Sequence, residues 1–177
     1  TALWSQRRHA EALAMLDRSG SELSRDGLVY QPKPLMRARL YDWMGDRARA
    51  RASYTAARGL LRDSVAAHPD DSGIRIALGM AYAGLGQREE AVREARRAME
   101  LTPVARNTVA AMAFMGGAVE VFGRAGEIDG ALELLELLFS MPAGREATVA
   151  YLRVWPGFDP LREDPRFEDL LARFPGR

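Results

Sequence analysis

The chain contains no cysteine, only two histidines and one lysine, and almost no net charge in 177 residues. Without cysteine, disulfide frameworks, zinc knuckles, iron–sulfur sites and thiol catalysis are excluded together. His9 and His68 lie 59 positions apart (68 − 9), and neither has neighbouring side chains at metal-ligand spacing. Lysine plus arginine number 25 against 24 aspartate plus glutamate, a formal charge of +1. A nucleic-acid module needs a surplus of cations facing phosphates, so no nucleic-acid partner is expected. The longest apolar run, from Val109 to Val119, is well short of the roughly 18–20 residues that cross a bilayer. No direct membrane insertion is expected. The chain opens Thr-Ala-Leu-Trp inside a helical pattern, with no cationic leader. It reads as a piece of something longer or a chain whose start has been removed, and not as a signal peptide.

Catalytic constellations are also lacking. No Gly-x-Ser-x-Gly turn presents a nucleophile. Gly84-Leu85-Gly86 lacks the third glycine and the preceding strand of a dinucleotide loop, so it reads as a turn between helices. No enzyme activity, cofactor or metal is expected.

What is present is alanine and leucine, the two commonest residue types of the chain besides arginine, a composition that points to helices. The alanines are periodic. QRRHAEALAML (6–16), MGDRARARASY (44–54), LGQREEAVREA (85–95) and AGEIDGALELL (125–135) align on a turn followed by an alanine-centred helix. Their alanines fall at Ala12, Ala50, Ala91 and Ala131, so the unit recurs at a nearly constant interval. Gly45, Gly86 and Gly126 stand five places earlier in the last three, with Arg7 at that place in the first and weakest copy. In the third unit Ile74, Leu78, Tyr82 and Leu85 have helical spacing. Gly86 then ends the helix in a left-handed conformation. A second helix follows with Ala91, Ala95 and Ala98 as a small-residue stripe, closed at Thr102-Pro103. One such pair cannot bury its apolar face alone; stacked pairs can.

These residues carry a resemblance. Leu78, Gly79, Tyr82, Gly86, Ala91, Ala98 and Pro103 resemble the tetratricopeptide repeat signature, with Ala95 where that family usually has an aromatic residue. Unit two matches through Ala38, Tyr41, Gly45, Ala50, Tyr54 and Ala57. Unit four matches through Phe122, Gly126 and Ala131, with Leu138 replacing the later alanine and Pro142 one place early. Unit two is helical from Asp46 to about Ala67, longer than the family's usual period allows. That length, and the tail with Asp159-Pro160-Leu161-Arg162 and Asp164-Pro165-Arg166-Phe167, resemble a bacterial subgroup lying C-terminal to a membrane-linked signalling module. Such modules are serine/threonine kinases, class III adenylate cyclases or winged-helix regulators.

The resemblance implies an all-α, right-handed superhelical solenoid of antiparallel helix pairs with a C-terminal capping segment. The expected single domain spans 1–177, with a partial first repeat (1–33), three repeats (34–69, 70–104 and 105–143) and a cap (144–177). It implies an accessory interaction module on either side of a bacterial inner membrane, the cytoplasmic side favoured. First helices of such pairs line the concave face where peptides bind. That places Leu35, Arg39, Asp42 and Trp43 of unit two, Ile76, Met80 and Ala83 of unit three, and Glu120 and Arg124 of unit four in a groove for a protein or peptide. Trp43 is the preferred anchor, since Trp and Arg dominate binding hot spots; packing between units is its alternative role. The carboxylate clamp of the family's chaperone-binding members needs Lys and Asn. Its places hold Leu35 and Arg39, Ile76 and Met80, and Gly116 and Glu120, which disfavours a chaperone co-adaptor.

Other features have plainer readings. The tail aromatics Trp155, Phe158, Phe167 and Phe174 read as a cap over the last apolar face, with Asp159 and Asp164 as N-caps ahead of prolines. Leu170 and Leu171 are expected to face inward. Arg47, Arg49 and Arg51 splay over half a helix and read as a solvated face. Glu89 with Arg93 and Arg96 with Glu100 are expected as pairs four apart. Gly116-Gly117 implies close backbone packing or a kink, or a small-molecule cavity, the sensory alternative. Leu3, Trp4, Leu13 and Leu16 motivate a second alternative, homodimerisation through an uncovered N-terminal edge.

Overall fold

The computed structural model describes residues 8–19, 23–26, 28–141 and 148–175. The fold is all-α, with strand among the described residues confined to one short hairpin. In chain order the elements are α1 (His9–Arg18), strands β1 (Leu23–Asp26) and β2 (Val29–Pro32), α2 (Lys33–Trp43), α3 (Arg47–Ala67), α4 (Ser72–Gly84), α5 (Arg88–Leu101), α6 (Thr108–Ala125) and α7 (Ile128–Ser140). The tail follows as α8 (Val149–Val154), a 3-10 turn (Pro156–Phe158), α9 (Asp159–Arg162) and α10 (Pro165–Arg173). Leu3, Trp4 and Pro142 lie outside the described residues. Among the described residues, no helix is long and apolar enough to cross a membrane.

Three pairs, α2–α3, α4–α5 and α6–α7, share one closing device. Gly45, Gly86 and Gly126 adopt φ of 78°, 75° and 80°, left-handed values that cost residues with a Cβ. At the middle turn the Gln87 N–H donates to the Tyr82 carbonyl at 2.9 Å and the Gly86 N–H to the Ala83 carbonyl at 3.0 Å. Asp46 to Tyr41 and Glu127 to Phe122 repeat the longer-range bond at 2.9 Å. This Schellman closure satisfies carbonyls that the ending helix orphans, while reversing the chain. It recurs in step with the alanines, always five places ahead of Ala50, Ala91 or Ala131.

Helix starts are capped as their residues dictate. Asp46, Asp71 and Asn107 each accept at 3.0 Å from a backbone N–H three residues on. The 21-residue α3 matches the long second helix read from the sequence.

Alanine sits where helices meet. Ala50, Ala57, Ala91, Ala95, Ala98 and Ala131 are buried in one continuous core that runs through all three pairs. A Cβ on Gly79 of α4 would approach the Ala91 carbonyl to 3.1 Å, so backbone lies nearly against backbone. Ala12 and Leu16 of α1 form a smaller cluster with Leu40.

The sequence reading missed one element. Strands β1 and β2 form an antiparallel hairpin, Leu23 opposite Pro32 and Asp26 opposite Val29, at the join between the first and second units. A glycine directly after Asp26, with Leu28 next and then Val29-Tyr30, is the local signature of a two-residue hairpin loop. Four-residue strands carry too little alternation to interrupt the helical period around them. The Leu28 carbonyl comes close to Gly73, where a Cβ would lie 2.5 Å away.

The tail divides into two parts. Helix α10 turns Phe167, Leu170 and Leu171 inward and sets Phe174 against Phe139 of α7, ring centroids 5.0 Å apart. Asp164 caps it, accepting from the Arg166 N–H at 2.9 Å. Asp159 does not cap α9 as expected. The turn at Pro156–Phe158 has already bent the chain, so Asp159 falls inside the first helical turn and pairs with Arg162.

Candidate functional site

The first helices α2, α4 and α6 present one layer, and the nine residues expected to line it are brought together. They are not a vacant surface. Leu35, Arg39, Ile76, Met80, Ala83 and Glu120 are buried, while Asp42, Trp43 and Arg124 are partly buried. The covering material includes the chain's own tail, with Trp155, Pro156, Gly157 and Phe158 all buried.

Two ion pairs span the layer from its first helix to its third. Arg39 pairs with Glu120 with only 8% and 11% of their side chains exposed, and Arg124 pairs with Asp42 in a more open position. Met80 and Ala83 occupy the matching places on the intervening α4. Both carboxylates face a guanidinium, so this interior patch is neutral. Charges this deep are retained only when paired and hydrogen-bonded.

The Glu120 carboxylate has a second partner. The Trp155 indole N–H donates to its Oε2 at 3.3 Å. The Arg39 guanidinium lies 5.1 Å from the Trp43 ring centroid and 5.5 Å from that of Trp155, within cation–π range. Trp43 meets Trp155 edge-on at 5.7 Å, and Tyr151 stacks on Trp155 at 5.4 Å. On its other side Trp43 lies 5.4 Å from His9 of α1. Trp43 is therefore a packing residue of this layer, joining the N-terminal helix to the tail.

Gly157 explains how the backbone reaches this depth. A Cβ there would run into the Glu120 carboxylate and stand 2.7 Å from the Trp155 indole nitrogen.

Tyr54, from the second helix α3, completes the cluster beneath Arg124. Its ring lies against Gly84 so closely that a Cβ there would collide with it, and the Arg124 guanidinium is 5.3 Å from its centroid. The Tyr54 hydroxyl is buried with no hydrogen-bond partner among the described residues. Burial pushes its pKa up to about 12, with Asp42 and Glu120 adding to the rise and Arg124 and Arg39 opposing it. Burial works against the Arg124 charge, but Tyr54, Asp42 and Glu120 outweigh it and hold the guanidinium pKa above its usual value. In the sequence Tyr54 stands out only as a repeat-signature residue, and Trp155 only as one of the tail aromatics.

Ile76 fills the space over Gly117, where a Cβ would come within 2.7 Å of its Cγ2, whereas a Cβ on Gly116 meets nothing within 4 Å. Close packing thus accounts for one glycine of that pair. Glu100 pairs with Arg97 rather than Arg96, and Arg96 reaches Glu127 at 3.6 Å, because α7 begins beside it. Glu94 pairs with Arg75 of α4 at 2.7 Å. Arg47, Arg49 and Arg51 are exposed. Leu16 of the proposed dimer edge is buried against Leu40, and Leu13 packs on the same cluster. Among the described residues, no three metal-ligating side chains converge. No protein-family model, no curated protein and no solved structure matches this chain.

Proposed function

We propose that the chain is a non-catalytic interaction module of tetratricopeptide type, a right-handed solenoid that binds a protein or peptide through the face formed by its first helices. Its setting would be as an accessory domain of a bacterial signalling protein. The observation that carries the reading is the seating of Trp155 between Glu120, Arg39 and Trp43. A face that grips one aromatic, proline-bearing segment has the chemistry to grip another. Tryptophan and arginine are enriched among the residues that dominate binding at protein interfaces, and the +1 net charge leaves recognition to such local contacts rather than to long-range attraction.

The test is affinity capture from the native cell with wild type, Trp43→Ala and the exposed control Arg97→Ala, each checked for helix content. Wild type and Arg97→Ala are expected to retain the same partner, and Trp43→Ala to lose it at least tenfold. Equal retention by a folded Trp43→Ala chain would retire this face as the binding surface.

A further inference from the structure

The tail segment on the first-helix face is organised largely by its own contacts. The Arg162 guanidinium donates to the Leu152 carbonyl at 2.5 Å and the Trp155 carbonyl at 2.8 Å while pairing with Asp159. These bonds close residues 152–162 into a knob, stiffened by Pro156 and Pro160 and stacked on one side by Tyr151. The knob meets the face through Trp155 at Glu120 and Arg39, through Phe158, and through Leu161. Leu161 lies over Gly123 so closely that a Cβ there would be 3.0 Å from it.

The rest of the tail has its own anchorage, joined to the knob by one exposed ion pair, Arg153 to Glu168 at 2.9 Å. Helix α10 holds α7 through the Phe139–Phe174 contact, through Arg166 to Asp129 at 2.8 Å and through Arg173 to Glu136 at 2.7 Å. None of these involves the knob. Release of the knob would therefore leave the chain's end attached. The two surfaces also differ in chemistry. Beneath α10 lies a dry aromatic and leucine contact, whereas the knob's tip meets a carboxylate, a guanidinium and a half-buried indole.

We infer that the knob is a resident ligand, and that the partner of this face is a peptide presenting an aromatic N–H or O–H donor followed by a proline–glycine turn, which takes the place of Trp155. The inference rests on the interaction-module reading and adds to it the partner's chemistry and a built-in competitor. A pre-organised ligand tethered beside its site binds at high effective concentration. A partner must outcompete it, and the cost of freeing the face weakens the partner's apparent affinity by the fraction of time the face is open.

Two measurements test this. In native-state hydrogen exchange on the wild-type chain, amides of residues 152–158 should exchange at least tenfold faster than the slowest amides of α6, through an opening that leaves α6 folded. Equal rates would mean that the knob leaves only on global unfolding, and would overturn the inference without any variant. In the second, a labelled peptide copying residues 148–164 is titrated into wild type and Trp155→Ala. Binding to Trp155→Ala should be at least tenfold tighter, and adding Glu120→Gln should weaken it. Absence of binding to a Trp155→Ala chain of normal helix content would overturn the inference. So would a twofold mass of the wild type in light scattering that Trp155→Ala reduces to one, since the occupant would then be Trp155 of a second copy. The peptide titration stands apart from capture in cells. If wild type captures a partner that Trp43→Ala loses and the peptide fails, the knob falls and the module reading stands. If Trp43→Ala retains the partner as well as wild type does, the module reading falls whatever the peptide does.

Discussion

The interface inside the helix pairs and the face across them solve the same problem by opposite means. Inside, Ala50, Ala91, Ala95, Ala98 and Ala131 let backbones approach and leave nothing polar to satisfy. Across, Arg39, Glu120, Asp42, Arg124 and Trp155 are held by directional bonds between residues far apart in the chain. The dry interface depends on volume and tolerates no added atoms. The polar face depends on partnership, and its members are costly only when separated. This difference orders the expected effects of mutation.

The largest effect is expected on the polar face. Glu120→Ala takes the carboxylate away from the Arg39 guanidinium at 8% exposure and removes an acceptor of the Trp155 indole. Breaking a buried pair from one side costs about 3–5 kcal/mol, readable in urea unfolding. Replacing both members by apolar residues of similar volume, Arg39→Met with Glu120→Leu, should recover most of that loss. A double variant as unstable as the single one would mean that the pair is held for its own energy and not for mutual neutralisation.

The dry interface should yield less, and to the opposite kind of change. Ala91→Leu inserts a branched side chain where the Ala91 side chain is fully buried and the α4 backbone is near contact at Gly79. Overpacking of this kind costs about 1–3 kcal/mol. The same substitution at exposed Ala52 on α3 should change stability by less than about 0.5 kcal/mol. Equal effects at the two sites would show that the alanine stripe is a matter of composition rather than of packing.

The contrast also explains what could be read in advance. The dry interface has a local signature: a small residue at a fixed distance from a left-handed glycine, repeated once in each helix pair. Helix starts at Asp46, Asp71 and Asn107, the long α3 and the inward face of α10 likewise follow from nearby residues. The polar face does not, because its bonds join residues 81, 82 and 35 positions apart. A partial clue was available in the alignment of first helices. Arg39 and Glu120 occupy equivalent places two repeats apart with opposite charge, and Met80 between them is neutral. Nothing in the local pattern indicated that Trp155 would fold back to Glu120. The tail's Pro and Gly residues marked turns without saying where those turns lead. The tail aromatics read together as a cap, yet the contacts that hold α10 to α7 are distinct from the one that seats Trp155 on Glu120.

The finest test lies where the two regimes touch. Tyr54 belongs to the alanine-lined helix α3, yet its hydroxyl ends in the charged cluster with no hydrogen-bond partner among the described residues. A dry-interface residue should be indifferent to losing that oxygen, and a polar-face residue should suffer from it. At neutral pH Tyr54→Phe is expected to alter stability by less than about 1 kcal/mol in either direction, since removing an unpartnered buried hydroxyl sacrifices no bond. The two chains should then diverge in alkali. The folded-state pKa lies near 12 against an ordinary value of 10. Between these values the unfolded chain gives up the Tyr54 proton and the folded chain keeps it, so stability falls as pH rises. The Tyr54 contribution is fully present below pH 10 and is lost by about pH 12. Tyr54→Phe cannot ionise, so its urea midpoint should decline less steeply than that of wild type across this window. Parallel declines would place the hydroxyl in contact with water and assign Tyr54 to the exposed rim of the cluster; a large loss at neutral pH would make it a bonded member of the polar face.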